Sequence, residues 1–166
     1  MHFVLHWGEM SAKWGVNRTV AQIHALLFLA GKPMPADDIA EALDLSPSTV
    51  SASLKELRDW NLISVEHVVD DDRDHYRTAT DVWELFRTIV SERKEREFDP
   101  TIAVLQECLA SDDLSKEDEA TQQRIRETLI LMESLSTWAD QMLKLDAATL
   151  MNVIKVGAKI QHMLHF

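Results

Sequence analysis

Residues Ser46 to Ile63 read SPSTVSASLKELRDWNLI. This stretch carries a helix start, a buried stripe and a helix stop. Ser46 is suited to the N-cap, and Pro47 to the first helical position, where its missing N–H costs nothing. Val50, Leu54, Leu57 and Trp60 follow at steps of four, three and three, which is one face of a helix. Asn61 can close the helix in the left-handed conformation. The other face begins with small hydroxyl residues, Ser48, Thr49, Ser51 and Ser53. A helix that buries one side and offers short polar side chains at its N-terminal end meets the requirement for reading a DNA major groove.

The flanking sequence extends this reading. Pro35 to Leu45, PADDIAEALDL, predicts a short helix with Ile39, Ala40 and Leu43 on its inner side. Asp44, Leu45 and Ser46 then make a turn of helix-turn-helix length, with Leu45 pointing into the core. Leu62 to Val69, LISVEHVV, is rich in β-branched residues and predicts a strand. The polar cluster Asp70 to Asp74 predicts a turn, and HYRTA a returning strand. Helix, turn, helix and β-hairpin in that order make a winged helix-turn-helix. The competing description is an arbitrary helical domain with a hairpin.

A chain of 166 residues can hold one sizeable core, or a small winged unit plus a dimerisation layer. No apolar run approaches the ~18 residues of a membrane span. The start, MHFVLHWGEM, lacks the basic residues and cleavage site of a signal peptide, so a cytoplasmic location and no membrane association are expected. The single Cys108 excludes an internal disulfide and any multi-cysteine zinc site. In LQECLA it reads as a buried small hydrophobe; a redox role would need exposure and a lowered pKa. Net charge is −11, from 28 acids against 17 bases. The winged segment is itself acidic. Asp37, Asp38, Glu41, Asp44, Glu56, Asp59, Glu66, Asp70, Asp71, Asp72 and Asp74 stand against Lys55, Arg58, Arg73 and Arg77. Phosphate neutralisation uses Lys and Arg. A dimer could present two small basic tips on an acidic body, or the domain could bind a protein instead.

Outside the winged segment the chain reads as helices. Residues 2 to 14 place Phe3, Trp7, Met10 and Trp14 on one face, and Gly15 ends that helix. Asn17 caps a second helix to Ala30, which GKPMP breaks. Thr80 is expected to cap a long helix carrying Trp83, Leu85, Phe86, Ile89 and Val90. Pro100 should break or kink it near Phe98. A further helix runs to about Ala110, and SDDLS forms a loop. Ser115 with Asp118 resembles a capping box for a helix to about Leu145, with Ile125, Leu129, Met132, Leu135, Trp138 and Met142 inside. Asp146 caps the last helix, with Leu150, Val153, Ile154, Ile160, Met163 and Leu164 apolar. These stripes carry more apolar surface than a thin layer can bury, and read as a bundle shared between two chains. A purely intramolecular bundle is the other possibility.

Four stretches together resemble the MarR-type winged-helix transcription regulators, and specifically their GbsR-like branch. They are WGVNRTVAQIHALLFL (Trp14 to Leu29), DDIAEAL followed by SPSTVSASLKEL, the wing DDDRDHY, and ERKEREFDP (Glu92 to Pro100). The resemblance covers roughly residues 3 to 110, and WGVNRT and ERKEREFDP are its more specific parts. It implies a homodimer that binds double-stranded DNA, and a wing-tip arginine, Arg73, that enters a minor groove. Arg73 could instead pair with Asp71 or Asp74. Related recognition helices commonly carry a basic residue or a larger amide where this chain has Pro47 and Ala52, which separates its DNA site from theirs.

With Val50 as the buried centre, Ser48, Ala52, Lys55 and Asp59 lie near the opposite side of the reading helix. Ser48, Thr49 and Ala52 can touch base edges or thymine methyls, and Lys55 is placed for a phosphate. The candidate DNA-binding set is Ser46, Ser48, Thr49, Ser51, Ala52, Ser53, Lys55, Arg58, Arg73 and Arg77. Some GbsR-like regulators respond to choline-type osmolytes, and aromatic faces attract quaternary ammonium groups. Trp7, Trp14 and Trp83 are the candidate effector residues, with Tyr76 and Trp138 also available; core and dimer packing is the plainer role for such rings. His2 with His6, and His162 with His165, have spacings that can bind zinc, but no carboxylate or thiol completes a motif. No metal or other cofactor is expected. No phosphate loop, nucleophile elbow or HExxH is present, and 4 glycines leave little for a catalytic loop system, so no enzyme is expected.

The sequence therefore predicts a mainly α fold. A winged helix-turn-helix unit with a two-stranded β-wing spans 17–80, and 1–16 with 81–166 form a helical dimerisation region. The predicted function is a homodimeric transcription regulator, a repressor on a pseudo-palindromic operator, with a small effector. The alternative is a winged-helix protein-interaction or scaffold module with little or no DNA binding. Salt dependence separates the two.

Overall fold

Helix α1 (His2–Lys13) packs along α2 (Arg18–Ala30) by its small side rather than by its aromatic one. Val4, Gly8 and Ser11 are buried, whereas Phe3 and Trp14 are exposed and Trp7 and Met10 half-buried. Gly8 permits the approach, because a Cβ there would stand 2.5 Å from Gln22 Cγ and 3.1 Å from the Arg18 carbonyl oxygen. The aromatic face of this helix is therefore only partly covered in the single chain. The structure is a computed structural model that describes residues 1–112 and 114–163, with backbone alone at 115 and 158–163. The side chains of Ser115, Ile160, His162 and Met163, and residues Leu164 and His165, lie outside the described residues.

Two compact units form, Met1–Ile89 and Val90–Phe166. In the first, α2 is followed by a two-residue strand β1 (Met34–Pro35), α3 (Ala36–Leu43), α4 (Pro47–Asp59) and the strands β2 (Ser64–Val68) and β3 (Asp71–Arg77). The sheet is antiparallel in the order β1-β3-β2. The expected two-stranded wing thus gains a third strand, with Met34 opposite Tyr76 and Pro35 opposite His75. Proline is tolerated there because β1 is an edge strand.

The core is the cluster Val20, Ile23, Leu27, Ile39, Val50, Leu54, Leu57 and Ile63, and Leu45 packs against it from the turn as expected. Asn17 caps α2 through Oδ1, which accepts from Thr19 N at 2.9 Å and Val20 N at 3.3 Å. Three helices of this unit end the same way. Val16 N–H donates to Ser11 O, Leu45 N–H to Ala40 O and Leu62 N–H to Leu57 O, each around a positive-φ residue: Gly15, Asp44 and Asn61. Buried His24 of α2 ties this core to the end of the sheet. Its Nε2 lies 3.1 Å from Thr78 Oγ1, and Thr78 Oγ1 donates to Leu62 O at 2.8 Å. The one hydroxyl proton is spent on Leu62, so His24 Nε2 carries the proton that it donates. Desolvation lowers its pKa to about 4.

Helix α5 (Val82–Arg93) begins in the first unit, capped by Asp81 rather than Thr80. Asp81 Oδ1 accepts from Trp83 N at 2.7 Å and Glu84 N at 3.0 Å. In the second unit a π-turn (Lys94–Phe98) leads directly into α6 (Asp99–Ala110). Pro100 does not end the helical path, but the α-helical geometry gives way before it to the π-turn that ends at Phe98. The proline occupies the first turn of α6, where no N–H is needed, and the wider π-turn precedes it. A short 3₁₀ turn (Leu114–Lys116) follows, then α7 (Glu119–Leu143) and α8 (Ala147–Met163). Asp118 itself caps α7, its Oδ1 accepting from Thr121 N at 2.9 Å, in place of the expected Ser115 start. Asp146 caps α8 in the same way through Thr149 N, as expected. The hydroxyls of Thr121 and Thr149 hydrogen-bond these two carboxylates and hold both below the usual carboxylate range.

Candidate nucleic-acid interface

Helix α4 is the feature that the fold presents. Ser46 caps it, its Oγ accepting from Thr49 N at 3.2 Å and lying 3.0 Å from Ser48 Oγ and 2.7 Å from Thr49 Oγ1. Val50, Leu54 and Leu57 fasten the helix to α2 and α3. Ser46, Ser48, Thr49, Ser51, Ala52, Lys55 and Arg58 are all exposed, so the short-chain end of α4 is open to a partner. Ser53 is the exception: it is 5% exposed, on the same arc as Val50 and Leu57. Its place among the base-facing candidates is therefore corrected, because position 53 stands three residues after buried Val50 and shares its side of the helix.

The wing differs from a simple turn. The strand β3 already begins at Asp71, and Val69 and Asp70 alone join it to β2, Asp70 taking φ 69°. His67 pairs with Asp74 and Val68 with Asp71, so Asp72 and Arg73 bulge out of the ladder. Arg73 grips Asp71, with Nε to Oδ1 at 2.9 Å and Nη2 to Oδ2 at 2.6 Å, and its Nη1 lies 3.5 Å from Asp38 of α3. The fork holds the Asp71 carboxyl well below, and the Arg73 guanidinium above, their usual ranges. His75 Nδ1 donates to Arg73 O at 2.8 Å, closing the bulge from the buried side.

The charged candidates are mostly partnered. Lys55 pairs with Asp59 at 2.8 Å and Arg77 with Glu66 at 3.4 Å. Among the described residues Arg58 is the DNA-binding candidate base that forms no ion pair. Two residues outside the DNA-binding candidate set also line this surface. Asn17 and Thr19, at the start of α2, face Ser48, Thr49, Ser53 and Glu56 of α4 across a cleft of about 370 Å³. Nothing local to Asn17 marks it beyond a helix cap, since the approach of α2 to α4 is tertiary.

The candidate effector residues lie in separate surroundings. Trp7 stacks on Phe3 with centroids 5.4 Å apart, Trp83 meets Phe86 edge-on at 6.4 Å, and Trp14 is 77% exposed. Among the described residues no ring contact joins any two of the three tryptophans. His2 and His6 stack in parallel at 6.4 Å, and no group of three metal-binding side chains occurs among the described residues. Cys108 is exposed, not buried as its sequence context suggests. No described helix is long and apolar enough to cross a membrane.

Residues 14–74, from the end of α1 through the wing, match the MarR family. The fold is a MarR-type winged helix-turn-helix. A crystal structure of a transcriptional regulator shares it with a TM-score of 0.72 and 19% identity, over 86% of this chain and 94% of that one. MepR, a transcription regulator of the Staphylococcus aureus multidrug efflux pump MepA, aligns at 18% identity with a TM-score of 0.40, over 80% and 90% of the two chains. In sequence, YvaV of Bacillus subtilis (strain 168), described as an HTH-type transcriptional regulator, is 24% identical over 90 residues. That match takes in 54% of this chain and about half, 51%, of the length of YvaV. The MarR-type match spans α2 to β3, the segment in which α4 is capped and the wing bulges.

Proposed function

We propose that this protein is a homodimeric, DNA-binding transcription regulator of the GbsR-like branch. It represses from a pseudo-palindromic operator, and a small molecule controls it. The observation that carries the reading is the mounting of α4. Its apolar stripe is locked into the core while Ser48, Thr49, Ala52 and Lys55 stand exposed at the end a groove would meet. Short side chains allow close approach to base edges, and bridging waters supply part of the readout. Exposed apolar side chains in the second unit support the dimer. Ile130, Leu131 and Trp138 of α7 are 61%, 57% and 58% exposed in the single chain. Surface of this kind marks an association site. WGVNRT and ERKEREFDP support the branch, and a choline-type osmolyte is the effector to test first.

One observation favours a second reading, a protein-interaction module. Three of the four candidate bases, Lys55, Arg73 and Arg77, already hold acidic partners. Selection from random duplex DNA decides between the two. A DNA regulator enriches a two-fold-related sequence, and its affinity falls steeply as salt rises. Failure to enrich any sequence at low salt selects the interaction module.

A further inference from the structure

We infer that the cleft between the start of α2 and the first two turns of α4 seats one phosphodiester group of the DNA backbone, with the Ser53 hydroxyl as a donor on its inner wall. This rests on the DNA-binding reading above. Ser53 lies on the core side of α4, 5% exposed, where its neighbours in the helix stripe are Val50, Leu54 and Leu57. Among the described residues no fully enclosed side-chain oxygen lacks a partner, so the Ser53 hydroxyl, which makes no bond within the chain, opens to the cleft. Elsewhere in this chain the helical hydroxyls of Thr88, Thr101, Thr128 and Ser134 donate to the carbonyl four residues back. Ser53 makes no such bond, and no other among the described residues. It lines the cleft, so its donor is available to whatever occupies that space.

The rest of the lining fits an anion. The cleft lies at the N-terminal ends of two 13-residue helices, α2 and α4, where the helix dipole is positive. Thr19, Ser48 and Thr49 bring hydroxyls to it, and Asn17 an amide. At the head of α4, Pro47 has no N–H and Ser46 takes those of Thr49 and Val50, which leaves the Ser48 amide without a partner inside the helix. Glu56 is the opposing term: its carboxylate lines the far side, one turn along α4 from Ala52 and Ser53. The seat therefore lies toward Thr19, Ser48 and Ser53, and binding there works against Glu56. No cation lines the cleft. This contact thus adds hydrogen bonds to a phosphate without adding to the counterion release that sets the salt slope. The site would fix the register of α4 on the duplex, since backbone contacts position and base contacts specify.

The test uses the full-length protein and the duplex obtained by selection, with single phosphates replaced by neutral methylphosphonates along each half-site. Binding is measured for the native chain, Ser53→Ala and Glu56→Gln. At one position per half-site, the substitution should weaken the native protein about tenfold. The same substitution should weaken Ser53→Ala by less than about twofold, with an unchanged salt slope. Glu56→Gln should bind the unmodified duplex more tightly. Thr19→Val should reproduce the Ser53→Ala pattern if the seat is as described, which guards against a packing artefact at position 53. If native protein binds the duplex but no position couples to Ser53 or Thr19, the seat is wrong and the DNA-binding reading stands. If native protein binds no DNA, the reading beneath it fails. Amide shifts at 17–19 and 48–53 on adding inorganic phosphate to such a protein would identify a free-anion site and overturn the backbone assignment.

Discussion

The Arg73 guanidinium grips the Asp71 carboxylate through three hydrogen bonds, of 2.9, 3.1 and 2.6 Å, and Asp71 Oδ1 also accepts the Arg73 backbone N–H at 3.1 Å. One carboxylate therefore fixes both the side chain and the main chain of a residue that bulges from the ladder. Neutralising Asp71 removes a negative charge from the proposed DNA-facing side, and by charge alone it would raise affinity. It also releases the bulge. We expect the second effect to win, so that Asp71→Asn and Arg73→Ala both weaken operator binding, each by about tenfold. Fluorescence anisotropy on the selected duplex checks this. Tighter binding by Asp71→Asn would show that the fork restrains Arg73 rather than presenting it. Because the Asp71 carboxyl is held below the usual range, the fork stays ionised well below neutrality, and its contribution is lost only in acid.

His24 makes stability depend on pH in a defined direction. Its folded pKa of about 4 lies below the ordinary value of 6.5. Below pH 6.5 the unfolded chain takes up a proton that the folded chain refuses, so stability is complete above that value and declines as pH falls toward 4. From pH 7 to pH 5 the loss from this group alone is about 2 kcal/mol. Urea unfolding at the two pH values measures it. His24→Gln keeps a donor for Thr78 and should flatten that part of the slope. An unchanged slope in the variant would assign the pH dependence to other groups.

What was legible in the sequence was what neighbouring residues decide. Ser46, Asn17 and Asp146 cap the helices expected of them, and Asn61 takes the left-handed turn. Every residue expected on the outer side of α4 is there except Ser53. What escaped was tertiary. β1 exists only because Tyr76 and His75, some forty residues on, supply its partners. Four aspartates read as a turn, yet β3 starts at Asp71, which pairs with Val68 across a connection of only two residues. The periodicity of α1 placed its aromatic residues on one face but not which face packs; Gly8 lets α2 approach on the small side, leaving Phe3 and Trp14 in solvent. The caps Asp81 and Asp118 were missed by one and three residues, since Thr80 and Ser115 are equally good capping types and only geometry separates them.

Ser46 separates stability from recognition. Ser46→Ala leaves the Thr49 N–H without its acceptor and should cost about 1 kcal/mol in urea unfolding. Ser46→Asp restores an acceptor and favours the helix dipole, so stability should return. A carboxylate at that point would face the DNA phosphates, so operator affinity should fall while stability recovers. If Ser46→Asp binds the operator as tightly as the native chain, the N-terminal end of α4 does not meet the duplex.

Assembly is the broadest test, because two half-sites need two subunits. The exposed apolar residues of α7 recur along one side: Ile130 at 61% and Trp138 at 58% flank a shallow groove that also includes Ser134, Thr137 and Gln141. In the single chain this surface gains nothing from folding; between two chains each buried aromatic or aliphatic group contributes about 1.5–3 kcal/mol. The native protein should sediment at twice the chain mass of 19.0 kDa at micromolar concentration. Ile130→Glu with Trp138→Glu should sediment as a monomer with the winged unit folded, and truncation after Ala110 should give a monomer or an aggregating fragment. The double variant should also lose cooperative binding to the two-fold operator while keeping weak binding to a single half-site. A native chain that sediments as a monomer would remove the two-half-site model. A double variant that stays dimeric would place the interface elsewhere, with the exposed face of α1, Phe3 and Trp14, as the next surface to test.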